Sequence, residues 1–167
     1  PALQFMFAAY SWGLAQDHAY KRRAVLESEW YRGLYPHIIP RGDRNNIMNL
    51  ANTEGGMIYS TSSGGTIMGR GADVLGLDDP NNTAEPESEV QRATLHRWFD
   101  VDWSSRANDL SRVIRFIVQQ RTHTEDVTGH ALKTGTWRHV KIPMEYEPGV
   151  RVDGDPRTVK GELIDPV

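Results

Sequence analysis

The sequence predicts an α/β fold in which a mostly parallel sheet is flanked by helices and carries an antiparallel hairpin. Short apolar runs alternate with segments of helical periodicity along the 167 residues, the pattern of a parallel sheet with crossover helices. The apolar run at 73–77 stops at Asp78-Asp79-Pro80, as a strand buried on both faces does. Gly64-Gly65 separates two other short apolar runs and predicts the hairpin.

The composition is typical of a globular domain. Hydrophobic residues make up 38% and charged residues 25%, and no apolar run approaches the roughly 18 residues of a membrane span. The first residues lack the basic and apolar regions of a signal peptide. Cysteine is absent, which excludes disulfides and thiolate metal sites. The net charge of −3 lacks the basic excess of a free-standing nucleic-acid binder, so DNA contacts would need a local patch.

The first half of the chain predicts one helix and several strands. The helix runs from residue 12 to residue 33, capped by Ser11 and ended by Gly33 and Pro36. Its apolar positions are Leu14, Ala15, Val25, Leu26 and Trp30. The predicted strands are 5–10, 47–50, 57–61 and 66–68, the last two joined by the hairpin turn.

The second half predicts two helices and three strands. The strands are 73–77, 113–118 and 137–142, and the helices are 86–102 and 124–133. The longer helix opens near Glu85, Glu87 and Glu89, where the dipole favours acids, and its buried face is Leu95, Trp98 and Phe99. Proline, glycine and charge dominate from residue 144, which divides the chain into a domain at 1–143 and a linker at 144–167.

Two of the predicted strands end in polar side chains, and ligands bind beyond the carboxyl ends of parallel strands. Asp78-Asp79 has the pattern of a Walker B strand, in which Asp78 holds Mg²⁺ and Asp79 orients or deprotonates water. Gln119-Gln120-Arg121 ends the later strand, where Gln119 or Gln120 could read a γ-phosphate. The structural alternative for the acidic pair is a turn or a helix cap.

Several other residues have both a functional and a structural interpretation. Arg70, in a glycine-flanked loop, is an arginine-finger candidate or a solvated loop residue. Arg121 contacts phosphate or pairs with Glu125 or Asp126. The remaining sets are listed with their favoured interpretation: the possible metal ligands His123, Asp126 and His130 as surface side chains, the basic run Lys21-Arg22-Arg23 as a solvated helix face, and the tryptophans Trp12, Trp30, Trp98, Trp103 and Trp137 as core.

The order of these segments resembles the ATPase domain of the bacteriophage-type terminase large subunit across roughly residues 5–165. The motifs are GRGAD at 69–73 leading into VLGLDDP, then IVQQRTHTEDVTG at 117–129 and WRHVKIP at 137–143. The closing Asp155-Pro156-Arg157 and Gly161-Glu162-Leu163 look like the approach to that family's nuclease domain. Thr122 departs from the pattern, which has an aromatic or large residue there.

The resemblance implies a P-loop NTPase-like (ASCE-type) sheet that binds MgATP. Asp78 would bind the metal, and Asp78 and Gln119 would bind the nucleotide. The residues implied in catalysis are Asp78, Asp79, Arg70, Gln120 and Arg121, with Glu85 or Glu87 in reserve for Asp79. The family also implies a Walker A loop, G-x-x-x-x-G-K-[ST], just before this chain, and the sequence contains no Gly-Lys pair. We therefore expect the Walker A strand to be missing and the chain alone to be inactive.

Family membership would further imply partners and a location. These are double-stranded DNA, the small terminase subunit and the portal, a ring of identical subunits, and the cytoplasm of an infected or lysogenic bacterium. An alternative is a catalytically inactive prophage remnant or accessory interaction module with the same fold. A third hypothesis is a metal-dependent hydrolase that uses Asp78, Asp79 and His123.

Overall fold

A computed structural model describes residues 2–82, 84, 88–150 and 154–164, with the side chain of residue 44 excepted. The chain divides into two compact units, residues 1–130 and 131–167. The strands are β1 (Gln4–Ala9), β2 (Pro40–Asn46), β3 (Asn49–Asn52), β4 (Met57–Ser62), β5 (Val74–Asp78) and β6 (Ile114–Val118). The helices are α1 (Trp12–Glu27), α2 (Glu29–Leu34), α3 (Glu89–Arg97) and α4 (Val127–Lys133).

Within the described residues, the strands form one six-stranded sheet of order β2-β3-β4-β1-β5-β6. The pairs β4–β1, β1–β5 and β5–β6 are parallel, and β2–β3 and β3–β4 are antiparallel. The predicted mixed α/β class with a mostly parallel sheet is confirmed. The P-loop character of that sheet stays a prediction.

The predicted strand at 66–68 is wrong, and with it the hairpin through Gly64-Gly65. β4 already pairs with β3 along one edge and with β1 along the other, so neither edge can accept a returning strand. The chain instead leaves the sheet after β4 and buries Ile67 on its way to β5. The antiparallel pairing lies upstream, in the β2-β3-β4 meander.

Strand β2 was not predicted, and the strand predicted at 47–50 begins two residues later, as β3. The β2 sequence PRGDRNN has no apolar alternation because it forms the outer edge of the sheet, where neither face requires apolar side chains. Residues 47 and 48 form the turn between the two strands, and Met48 N donates to Asn46 Oδ1.

The helix predicted at 12–33 is interrupted at Ser28. Ser11 caps α1 as predicted, by accepting a hydrogen bond from Leu14 N. Ser28 has an extended backbone and accepts from Tyr31 N, so it ends α1 and begins α2. On α1, Ala15 and Ala19 pack against Ala9 and Met48.

Two of the tryptophans and part of the expected apolar helix face are exposed. Trp12 is 49% exposed and Trp30 68%, so the prediction that these two tryptophans belong to the core is wrong. Val25, one of the apolar positions of the predicted helix, is also 49% exposed. Trp98 and Trp103 are buried as predicted, with ring centroids 5.3 Å apart.

The helix predicted at 86–102 begins at α3 with Ser88 as its cap. Glu85, Pro86 and Glu87 lie outside the described residues. After α3 the backbone widens into a π-helical segment, Trp98–Trp103, and then tightens into a 3₁₀ turn, Ser104–Arg106. The wider turn buries Trp98, Phe99 and Trp103 on one short segment.

Strand β6 occurs where predicted but is not buried. It is the outermost strand beside β5, and Ile114, Phe116 and Val118 are 60%, 39% and 60% exposed. The apolar run indicated burial on both faces, and the structure leaves an apolar strand at an open edge instead.

In the second unit, the strand predicted at 137–142 is absent, and none of these residues joins a ladder. Arg157 organises this unit. Its guanidinium is 4% exposed, pairs with both oxygens of Asp155, and donates to the carbonyls of Pro143, Met144 and Glu162. The predicted boundary at residue 143, toward a further domain, stays a prediction.

Candidate functional site at the carboxyl edge of the sheet

The parallel strands β1, β5 and β6 all end at one edge of the sheet. Asp78, the last residue of β5, is in register with Ala9 on one side and Val118 on the other. The residues that follow these strands therefore meet at this edge: Ser11 after β1, Asp79 after β5 and Gln119 after β6. This is where parallel sheets bind ligands.

Asp78 faces the same side of the sheet as α1. Its Oδ2 lies 3.2 Å from Nδ1 of His18 on that helix, and both side chains are partly exposed, at 44% and 39%. Sequence reasoning missed His18, because its position beside Asp78, one α1 turn beyond Ala15, depends on how the helix packs. Among the described residues His18 is the partner found for this partly exposed carboxylate. Such a carboxylate suits Mg²⁺, which keeps several water and phosphate ligands.

Asp79 has a left-handed backbone, with φ of 40°, a conformation that aspartate tolerates better than most residues. Its N–H donates to Val118 O at 2.9 Å, and its Oδ1 accepts from Gln120 N at 2.8 Å. The turn after β5 is therefore tied to the end of β6 by both backbone and side chain. These contacts of Asp79 are those expected from the structural alternative, an aspartate that stabilises a turn.

The two glutamines differ in their surroundings. Gln119 donates from Nε2 to Asn81 Oδ1 at 3.0 Å and accepts from Thr128 Oγ1 at 2.8 Å. Gln120 is exposed, and within the described part of the chain no hydrogen bond to its side-chain amide is found. Asn81, which is 7% exposed, was missed by sequence reasoning, although an asparagine after Asp-Asp-Pro is a recognisable turn signal.

Arg121 pairs with Asp126, one of the two partners considered from the sequence. Its Nε lies 2.7 Å from Oδ2 of Asp126, whose side chain is fully buried. The same carboxylate accepts from Thr122 N and caps α4 by accepting from Gly129 N. Arg121 also donates to the carbonyls of His123 and Thr124, so its contacts in this structure hold the loop before α4.

Arg70 lies on the other face of the sheet from Asp78. Its guanidinium carbon is 3.9 Å from the centre of the Tyr59 ring. Tyr59 is in register with Met6, whereas Asp78 is in register with Ala9, and alternation puts these two residues of β1 on opposite faces. Within one chain the structure does not bring Arg70 to Asp78.

An apolar groove of about 300 Å³ opens beside α1 on the Asp78 face. Its floor and walls include Phe7, Ala15, Leu77, Phe116 and Val118, with His18 and Asp78 at its polar end. We call this the β5–β6 groove. Gly76 is in register with Phe7 on one side and Phe116 on the other. A Cβ there would come within 2.6 Å of Phe116 and 2.7 Å of Phe7, so glycine is needed for the two rings to approach each other.

The possible metal ligands have other partners. His130 Nε2 lies 2.9 Å from an oxygen of Asp100, His123 Nδ1 accepts from Glu125 N, and Asp126 holds Arg121. Across the residues that the structure describes, no group of three or more His, Asp or Glu side chains is arranged to hold a metal ion. Each of these three side chains thus binds another group of the protein, and the metal-dependent hydrolase stays a hypothesis.

The basic run on α1 is largely engaged within the protein. Arg22 donates to Ser60 Oγ and Ile47 O, and its burial lowers the pKa of the guanidinium. Arg23 pairs with Glu27 one turn later, and Lys21 is exposed. The run thus offers little concentrated positive charge to a DNA backbone.

No family model and no curated protein sequence matches this chain. Among solved structures, it is similar to the crystal structure of the HK97 bacteriophage large terminase, with a TM-score of 0.47 and 12% sequence identity. The likeness covers 80% of this chain and 26% of that one, so the chain spans about a quarter of that protein's length. Among the residues described, none of the helices has the length and apolar character needed to cross a membrane.

Proposed function

We propose that this chain is part of the ATPase motor domain of a phage or prophage terminase large subunit, which in its complete form drives DNA packaging with ATP. The observation that carries the proposal is the shared end of β5 and β6. It brings Asp78, Asp79 and Gln120 to one edge of a parallel sheet, beside a groove that no element of the first unit fills within the described residues.

The open edge of β6 supports the proposal that a Walker A strand is missing. Parallel strands are ordinarily covered on both faces, yet Ile114, Phe116 and Val118 are exposed on one face of β6. A further strand paired along β6 and a helix laid in the β5–β6 groove would bury these side chains. A strand, phosphate-binding loop and helix in that order would place the loop at the carboxyl edge, next to Asp78.

In the complete domain, Asp78 would hold the Mg²⁺ of MgATP, and Asp79 would orient or deprotonate the attacking water. Gln119 or Gln120 would respond to the γ-phosphate, and Arg121 would support the loop beside it. Arg70, on the opposite face, would reach the nucleotide of a neighbouring subunit in a ring. For Asp79 these roles require its contact with Gln120 N to loosen when nucleotide binds.

The partners proposed with this function are double-stranded DNA, the small terminase subunit and the portal, in the cytoplasm of an infected or lysogenic bacterium. The basic run on α1 contributes little to this part of the proposal, since Arg22 and Arg23 bind within the protein. DNA would be held by other parts of the complete subunit or by the assembled ring.

A catalytically inactive remnant or accessory module is the second candidate. It is favoured by the absence of a Gly-Lys pair from the sequence and by the internal hydrogen bonds of Asp79 and Gln119. Both candidates share the fold, and they differ in whether a phosphate-binding segment joins the chain.

Calorimetric titration with MgATP separates the two. We expect no binding by the chain alone, and Mg²⁺-dependent binding when it is joined to an upstream segment containing a G-x-x-x-x-G-K-[ST] loop. Asp78→Ala in the joined protein should weaken the Mg²⁺-dependent part, whereas Asp17→Ala, on the exposed side of α1, should not. A joined, folded protein that ignores nucleotide would contradict the motor proposal and favour the remnant.

A further inference from the structure

A single backbone N–H determines the direction of a chain of side-chain hydrogen bonds behind the candidate site. Val127 N, in the first turn of α4, lies 3.0 Å from the Asn81 side chain. A backbone N–H can only donate, so Asn81 must present its oxygen there. This requirement fixes the orientation of the Asn81 amide, whose oxygen and nitrogen are otherwise alike in shape.

The direction continues through Gln119. Since Oδ1 of Asn81 is the acceptor, the Gln119 atom 3.0 Å away from it must be the donor Nε2. The carbonyl oxygen Oε1 of Gln119 then faces Thr128 Oγ1 at 2.8 Å, and that hydroxyl must donate. In the hydrogen-bonded series Val127, Asn81, Gln119 and Thr128, the donor and the acceptor of every bond are therefore determined.

This arrangement joins three elements. Asn81 follows β5, Gln119 follows β6, and Val127 and Thr128 begin α4. Asp79 makes a parallel connection by accepting from Gln120 N, and this bond uses the backbone of Gln120 and leaves its side chain exposed. Both polar atoms of the Gln119 side-chain amide are hydrogen-bonded. Within the described residues, no such bond is found for the side-chain amide of Gln120.

We infer that Asn81 is a positioning residue that fixes the amide of Gln119 and the first turn of α4. Gln119 is then a structural link between β6 and α4, and Gln120 is the glutamine that can respond to a bound nucleotide. The assignment of Gln120 rests on the proposed function, but the positioning role of Asn81 does not. A change at the β5 or β6 end would reach α4 through these hydrogen bonds.

Amide hydrogen exchange on the chain itself tests the positioning role. Asn81→Leu has similar size but no acceptor, and we expect exchange at Val127 N to become about tenfold faster, the factor for one lost hydrogen bond. Asn81→Asp keeps an acceptor oxygen and should restore slow exchange. The side-chain amide resonances of Gln119 should shift in Asn81→Leu, and those of Gln120 should not.

Thr128→Val provides a second variant that leaves Asn81 intact, in case Asn81→Leu does not fold. It should shift the Gln119 side-chain amide while Val127 N remains protected. Unchanged exchange at Val127 in Asn81→Leu, or Gln119 resonances insensitive to both variants, would overturn the inference.

Nucleotide-dependent turnover in the protein joined to a phosphate-binding segment tests the assignment of Gln120. Gln120→Ala should lower kcat, and Asn81→Leu should lower kcat with little change in KM, with recovery in Asn81→Asp. A loss of kcat in Thr128→Val as large as that in Gln120→Ala would instead place Gln119 at the phosphate. If the joined protein binds no nucleotide, the proposed function fails and the exchange experiment still decides the role of Asn81.

Discussion

At the residue scale, the buried carboxylate of Asp126 binds several donors at once. It accepts hydrogen bonds from Arg121 Nε and from the backbone N–H groups of Thr122, His123 and Gly129, with no exposed side-chain surface. A carboxylate buried in this way is stable only because these donors compensate for its lost hydration.

We expect Asp126→Ala to lower the free energy of unfolding by about 2–4 kcal/mol, because three backbone N–H groups lose their acceptor and α4 loses its cap. Arg121 is partly exposed and can regain water, which limits the loss. Urea denaturation measures it. Asp17→Ala, which removes an exposed carboxylate, should change stability by no more than about 0.5 kcal/mol, and an equal effect of the two variants would contradict the prediction.

His96 makes the stability of the fold sensitive to mild acid. Its ring stacks on His130 with centroids 4.2 Å apart, and its Nε2–H donates to Glu125 O. Desolvation, followed by the nearby His130, lowers the pKa of His96 below its ordinary 6.5, although Glu125 O and the charges of Asp100 and Glu125 oppose the shift. The unfolded chain therefore binds this proton more readily than the folded chain does.

The contribution of His96 should thus be complete above its unfolded pKa of 6.5 and should decline as the pH falls below that value toward the lower folded pKa. We expect His96→Gln, which keeps a donor for Glu125 O, to reduce the loss of stability between about pH 7 and pH 5. Chemical denaturation at a series of pH values gives, for the variant and for the original chain, the slope of the unfolding free energy against pH. Parallel slopes for the variant and the original chain would show that His96 does not carry the effect.

At the element scale, two helical glycines of this protein have opposite reasons for their presence. Gly13 is in the first turn of α1 with open space where a Cβ would lie. A Cβ on Gly129, in α4, would overlap the carbonyl oxygen of Thr124 and contact the guanidinium of Arg121. Only the second glycine is required by packing.

Gly13→Ala should therefore raise the free energy of unfolding by about 0.5 kcal/mol, by restricting the unfolded chain. Gly129→Ala should lower it by about 1–3 kcal/mol, since a backbone carbonyl cannot move aside as a side-chain end can. Thermal unfolding of the two variants measures whether each substitution raises or lowers the stability. Stabilisation by both substitutions would mean that the loop before α4 yields easily.

The carboxyl-edge turns show the same dependence on neighbouring elements. The DDP turn after β5 was recognisable in the sequence, but its function as a link to β6 needs Gln120 N and Val118 O at the right distance. The QQR segment after β6 was also recognisable as a polar strand end. Which of its two glutamines is held by its side-chain amide was decided by Asn81 and Thr128, on two other elements.

At the scale of the whole molecule, the chain has two compact units, and Arg157 holds the second together. A buried guanidinium bound by a carboxylate and three carbonyl oxygens cannot be replaced by a single ammonium group. The arginine fork meets these acceptors in several directions at once, and lysine would leave some of them without a donor.

We expect Arg157→Lys to increase hydrogen exchange strongly in residues 143–150 and 157–164 while the sheet of the first unit remains protected. Exchange measured by mass spectrometry on proteolytic fragments resolves the two units. Lys160→Arg, at an exposed residue of the same unit, is the control and should leave the pattern unchanged. Loss of protection in β1 and β5 as well would show that the two units unfold together.

By itself, the sequence determined the α/β class, strands β1, β4, β5 and β6 to within a residue or two, the Ser11 cap and the polar groups at the ends of β5 and β6. These features depend on short-range periodicity, turn chemistry and caps, which a few adjacent residues specify. Only the tertiary structure decided that β6 is an open edge, that residues 66–68 have no strand to pair with, and that Asn81 commits Gln119. Pairing and burial depend on residues distant in the sequence: apolar alternation identifies a strand, but the occupancy of its neighbours' edges determines whether that strand is covered.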